Sequence, residues 1–201
     1  MSKFLFALTL MFFMNLTARG QGNWELKKKE DWIEVYTRTP IKGNLKEIRV
    51  VCDLDATEAQ LIATLKDIND YTKWVYGNKK SSILKTVTPE TIIYYTQAHL
   101  IWPIKDRDLV IQLNIDQSDP NQLRIIVKSI PQYIPVNKDF IRVPYSLALW
   151  NVTPIGENKL KVDYTFSVDP GGAIPSWLVN ATMAIGPYNS FVKLRDALRA
   201  K

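Results

Sequence analysis

Apolar and polar residues alternate along most of this chain, and in two stretches the spacing changes to steps of three and four. Residues 24–39 predict two short strands with a turn near Glu30-Asp31. The second alternates strictly over Trp32-Ile33-Glu34-Val35-Tyr36-Thr37-Arg38 and stops at Pro40. Residues 44–54 predict a third strand, followed by a helix that Asp55 or Thr57 can cap, with Ala59, Leu61, Ile62, Leu65 and Ile68 at helical spacing. Residues 71–76 add a helical turn or two before Gly77-Asn78 breaks them. From Ser81 onward, residues 83–87, 91–101, 107–117, 123–129, 140–153 and 160–168 are each β-rich. Most of the turns between them are of hairpin length, so the sheet is expected to be largely antiparallel.

The last segment differs. Asp169-Pro170-Gly171-Gly172 ends the final strand, Pro175 suits a helix's first turn, and residues 176–200 carry helical periodicity. Leu178, Ala181, Ile185, Tyr188 and Val192 fall on one face, and Pro187 inside the helix predicts a kink near Gly186-Pro187. This is an α+β pattern in which one long helix must lie on an antiparallel sheet. A single helix covers so large a sheet poorly. Either aromatics fill the core or a space remains, and periodicity leaves both open.

The first twenty residues stand apart from that domain. Lys3 supplies a positive n-region, residues 4–16 are almost unbroken apolar, and Ala18-Arg19-Gly20 places small residues at the −3 and −1 positions. That order predicts a signal peptide over residues 1–20, a mature domain over 21–201, and a secreted or periplasmic location. A retained anchor competes, although the run falls short of the roughly 17–25 residues a spanning helix needs. The formal charge of +6 becomes +4 once Lys3 and Arg19 are gone. Such a mild balance, in an exported chain, argues against nucleic-acid binding. Lys27-Lys28-Lys29 and Lys79-Lys80 read as solvated faces or as attraction to an anionic membrane. Cys52 is the only cysteine, so no internal disulfide is available and packing must supply stability. His99 is the only histidine, sits mid-strand, and has no clustered partner, so no metal site and no cofactor are expected.

Three stretches carry a family resemblance. Trp102-Pro103-Ile104-Lys105-Asp106-Arg107-Asp108-Leu109-Val110 resembles a signature of START (StAR-related lipid transfer) domains. Asp169-Pro170-Gly171-Gly172-Ala173-Ile174-Pro175-Ser176-Trp177-Leu178-Val179-Asn180 resembles the opening of their last helix. Residues 32–38 resemble an early strand of the family. The resemblance implies a helix-grip fold, a curved antiparallel sheet wrapped around a long C-terminal helix and enclosing an apolar tunnel. It implies one hydrophobic lipid or lipid-like molecule as partner, a gate at the C-terminal helix and transient contact with a membrane surface. A monomer that is not an enzyme is expected, with helix-grip cyclases, aromatases or hydrolases as the alternative. A periplasmic partner-binding protein is a further alternative.

Candidate lining residues then follow from strand alternation and the aromatics. Tyr95, Gln97 and His99 share one strand face with Ile93, while Ile92, Tyr94, Thr96, Ala98 and Leu100 share the other, and the pattern does not say which is inside. Trp74, Trp102, Trp150 and Trp177 are core or tunnel wall, and Leu178, Ala181, Ile185 and Tyr188 are the helix contribution. Arg107 either meets a polar headgroup in the tunnel or, with Asp106 or Asp108, fixes the start of a strand.

Overall fold

The computed structural model describes residues 23–38, 46–100, 102–174 and 183–199. The predicted leader, together with Trp177, Leu178 and Ala181, lies outside the described residues. Ten strands form one sheet, β1 Glu25–Glu30, β2 Ile33–Arg38, β3 Lys46–Leu54, β4 Asn78–Thr88, β5 Thr91–Ala98, β6 Arg107–Asp119, β7 Gln122–Ser129, β8 Ile141–Arg142, β9 Tyr145–Gly156 and β10 Lys159–Asp169. Their order is β1-β2-β3-β10-β9-β7-β6-β5-β4, antiparallel throughout except that the short β8 runs parallel to β6. The two outer strands do not pair with each other, so the curved sheet stays open. Register shifts in the β4–β5 pairing at three places supply extra residues that bend this edge.

The segment 140–153, predicted as one strand, is two, because Pro144 has no amide to continue the ladder between β8 and β9. Helix α1 (Glu58–Lys66) starts where Thr57 accepts the Gln60 amide while the Gln60 side chain accepts the Thr57 amide. A 3₁₀ turn (Ile68–Asp70) and the short α2 (Tyr71–Trp74) follow. Gly77, at φ +72°, turns the chain into β4.

Helix α3 (Ile185–Arg199) lies on the concave face and buries Tyr188, Phe191, Leu194 and Leu198. This corrects the predicted stripe. Ile185 is 47% exposed, and the buried line runs onward from Tyr188 in steps of three and four through Phe191, Leu194 and Leu198. The Pro187 expectation changes too. Pro187 is the third residue of α3, inside the first turn, where the missing amide would have had no partner within the helix.

Candidate functional site

Strand register sorts the concave face into rows. Ile33, Cys52, Val162, Val152 and Leu123 stand side by side on β2, β3, β10, β9 and β7. All five are buried, with Leu54 and Leu160 beside them, and Leu61, Leu65, Ile68, Leu194 and Leu198 come down from the helices. This half of the face is filled with apolar side chains. Desolvation there pushes the Cys52 thiol up to about 12, which leaves it an inert apolar group.

Moving along the strands toward Arg107, the rows change. Phe166, Val127 and Leu109 face the same side as the filled rows yet remain only half-buried, as do Met183, Ala184 and Val192, although Ile48, Ala148 and Leu113 in the same rows are buried. Between the halves stands a group of rings. The centroid of Trp150 lies 4.8 Å from Tyr164 and 5.3 Å from Phe191, and Tyr164 and Phe191 are 5.2 Å apart. Burial pushes the Tyr164 hydroxyl up, so it stays neutral. A second aromatic chain joins the helices to β5, with Tyr71 4.9 Å from Trp74 and 5.5 Å from Tyr94. The Ile92–Tyr94–Thr96 face of β5 is therefore the inner one.

Tyr95, Gln97 and His99 accordingly lie on the convex side, away from the half-open rows. Tyr95 donates to Asp108 at 3.2 Å and Gln97 to Tyr95 at 3.3 Å. His99 Nδ1 is 2.9 Å from Asp106. The Asp106 carboxyl is held down to about 2 by its bond from Lys79, then by the Leu100 amide and His99. Trp102 is 87% exposed and lines nothing. Trp74 and Trp150 are buried on the inner side, Tyr188 packs under Lys28 and hydrogen-bonds Asp31 at 3.3 Å, and Ile185 is half in solvent. The structure thus brings Trp74 and Trp150 to the inner face and leaves Tyr95, Gln97, His99 and Trp102 off it. Phe166, Val127, Leu109 and Phe191 belong to the candidate site and were missed. For the first three the missing signal was register across the sheet, and for Phe191 it was the helical step after Tyr188.

Arg107 and Asp108 do not pair with each other. Neighbours on a strand point to opposite faces, and these two do. Arg107, 2% exposed, donates to the carbonyls of Pro170 at 3.2 Å, Gly171 at 2.8 Å and Lys105. Gly171 and Gly172 both sit at φ +65°, and a Cβ on Gly172 would come 3.1 Å from Ile141. Arg107 therefore fastens the turn leading toward the C-terminal segment. Desolvation lowers its affinity for its proton without neutralising it. On the convex side Asp108 receives a two-pronged bond from Arg142, both arms 2.9 Å, and Arg142 also donates to Pro131 at 2.6 Å. That clamp holds the loop of residues 130–144, whose Ile130 amide donates to the Val110 carbonyl at 2.8 Å, and the loop carries Val136, 61% exposed. Lys105 reaches the Lys138 carbonyl at 2.6 Å and ties this loop to the one bearing Trp102. Apolar side chains thus project from two joined loops at the same end as the half-open rows. Among the described residues no group of three or more histidine, cysteine, aspartate or glutamate side chains could hold a metal.

A curved antiparallel sheet gripping a C-terminal helix defines a helix-grip protein. Within that class the chain belongs to the START domain family, which it matches over residues 7–200. It is 31% identical over 175 residues to the uncharacterized protein PA1579 of Pseudomonas aeruginosa, covering 87% of this chain and 86% of that one. It is 27% identical over 188 residues to the human phosphatidylcholine transfer protein, covering 91% and 86%. A solved STAR-related lipid transfer protein from Xanthomonas axonopodis superposes with a TM-score of 0.80 at 30% identity, over 88% of this chain and 98% of that one. The Zhui aromatase/cyclase of Streptomyces shares the fold, at TM-score 0.56 and 12% identity over 77% of this chain and 93% of that one. Lipid binding is the general function that the transfer-protein relatives support.

Proposed function

We propose that this chain takes up one lipid-like molecule between the half-open rows of its sheet and α3, and carries it between membranes without altering it. The observation that carries the reading is the contrast along one concave face, where Phe166, Val127 and Leu109 keep partial exposure although they point the same way as fully buried neighbours. Apolar surface left accessible inside a fold is costly unless something apolar covers it. The complementary cost falls on the lipid. A chain of about sixteen carbons loses on the order of 10 kcal/mol on entering water, at about 0.8 kcal/mol per methylene. A carrier must therefore hold it out of water.

Trp102 and Val136 are the membrane-facing tip in this reading, because an exposed indole beside lysines suits the interface between headgroups and acyl chains. The C-terminal segment is the gate, turning at Gly171-Gly172. Residues 1–20 direct export, so N-terminal sequencing of the mature chain should begin at Gln21, and a retained Met1 would contradict this. Transfer of a fluorescent lipid between donor and acceptor vesicles tests the whole reading. The protein should accelerate it well above the spontaneous rate. Trp102→Ala should slow it about tenfold without unfolding the chain, and a disulfide joining α3 to β2 should stop exchange. No acceleration with any lipid class would overturn the proposal.

A further inference from the structure

Exposed apolar side chains project from loop ends at both ends of the strands. Trp102 and Val136 do so on the two joined loops at the Arg107 end. At the opposite, filled end, Trp32 is 88% exposed on the β1–β2 turn and Ile155 is 47% exposed on the β9–β10 hairpin. Register places these last two at one end of the sheet. Ile33 stands in a row with Cys52 and Val162, and β10 begins three residues before Val162, where Lys159 pairs with Gly156. From there β10 runs 11 residues to Asp169, two short of the Gly171 carbonyl that Arg107 holds. The two ends therefore lie about 35 Å apart. Trp32 is also a strained choice. Glu30 pairs with Ile33, so Asp31 and Trp32 alone make the turn, at φ +52° and +63°. Such turns favour asparagine and glycine, and a bulky residue there is an outlier. The indole recovers nothing by burial, yet the turn beneath it is firmly mounted on α3. The Asp31 carbonyl accepts from Arg195 at 3.0 Å, and its carboxylate accepts from the Tyr188 hydroxyl at 3.3 Å.

We infer that Trp32 and Ile155 form a second bilayer-facing tip, so that one chain holds two membranes at once, one at each end of its sheet. The inference rests on the carrier reading of the Trp102 end and adds to it a partner for the filled end. An indole is apolar over its ring and polar at its N–H, which suits the boundary between headgroups and acyl chains. The charged side chains around the two hairpins stand in pairs, Lys29 with Glu34 at 2.6 Å, Arg199 with Asp55 at 2.9 Å, Lys159 with Asp53 at 3.4 Å and Arg195 with Asp31 at 3.9 Å. Paired charges neither seek nor repel an anionic surface, so the tip matches zwitterionic headgroups. A stable protein partner would need about 800 Å² of continuous, complementary surface. Two separate hairpin ends with ion pairs between them do not supply that. A lipid surface asks less, because each apolar side chain can enter it independently.

Phosphatidylcholine vesicles test this, with light scattering to read clustering and co-sedimentation to read binding. The wild-type protein should cluster the vesicles. Trp32→Ala should lower clustering at least about tenfold, yet still sediment with vesicles through the Trp102 end. Trp102→Ala should also lose clustering and still sediment, through the Trp32 end. The double variant should stay in solution. Trp32→Gly removes the strain at positive φ, so it should raise Tm while losing clustering, which separates the contact from any role in folding. Position 155 gives a direct reading. With Ile155→Cys carrying a polarity-sensitive dye in the Trp102→Ala background, emission should shift to the blue when vesicles are added. The buried Cys52 stays unlabelled. Sedimentation of the protein without lipid distinguishes a bilayer from a second copy of the chain. Undiminished clustering by Trp32→Ala, a dye that stays in water, or a lipid-free dimer that Trp32→Ala dissolves would overturn the second tip while leaving the carrier standing. No vesicle binding and no lipid transfer by the wild-type protein would overturn both.

Discussion

The two ends of the concave face are built from the same alternating strands but held together by different forces. At the filled end, rows such as Ile33–Cys52–Val162–Val152–Leu123 meet α1 and the second half of α3, and apolar burial carries the stability. At the other end Phe166, Val127 and Leu109 are only partly covered, although Ile48, Ala148 and Leu113 beside them are buried, and the frame around them is polar. Arg107 grips the Gly171 turn, Arg142 and Asp108 clamp the 130–144 loop, and Asp106 ties Lys79 and His99 together. Directional bonds let a rim keep its shape without a packed interior. The comparison teaches that accessible apolar surface and a rigid outline can coexist when different residues supply each.

Breaking the rim should have the largest effect. Asp108→Ala strands the Arg142 guanidinium, 6% exposed, among carbonyls, and removal of one member of such a buried pair costs about 3–5 kcal/mol. Chemical denaturation should show that loss. A double replacement by apolar residues of similar volume should recover much of it, whereas a loss below about 1 kcal/mol would mean the clamp is dispensable. Next comes the filled end, where Leu194→Ala should cost about 2–5 kcal/mol. For a domain of this size that lowers Tm by roughly 5–15 °C. Phe166→Ala, in the half-open rows, should cost only ~1–2 kcal/mol because the ring is partly exposed already. Equal costs at the two positions would erase the contrast. The smallest effect lies in acid. The Asp106 carboxyl titrates at about 2 in the fold, below its ordinary 3.8. Its contribution is therefore complete above about pH 4 and disappears as pH falls toward 2. Asp106→Asn should lower stability at neutral pH, and its difference from wild type should shrink over that window.

Much of the fold was legible in the residues. The alternation over residues 33–38 matches the alternating burial of β2, and Thr57 with Gln60 marks the start of α1. What stayed hidden was the inner face of β5. Ile93 and Tyr95 are as apolar as Ile92 and Tyr94, and Ile93 on the convex face is buried as well. A strand covered on both sides loses the contrast that alternation reads. The separation of Arg107 from Asp108 was in principle readable, since adjacent strand residues face opposite ways. Their partners were not, because Pro170, Gly171 and Arg142 are more than thirty residues away. The hydrogen bonds that join Asn78, Ser81 and Thr96 depend likewise on pairing between strands, which no local pattern encodes.

The central claim is that the half-open end holds one lipid-like molecule. Mass spectrometry of the intact chain under non-denaturing conditions, followed by solvent extraction, tests it most directly. The account predicts one bound lipid-like species per chain. A chain that emerges empty from its host and stays empty after exposure to sterols, hopanoids, ceramides, diacylglycerols, phospholipids and carotenoids would contradict it.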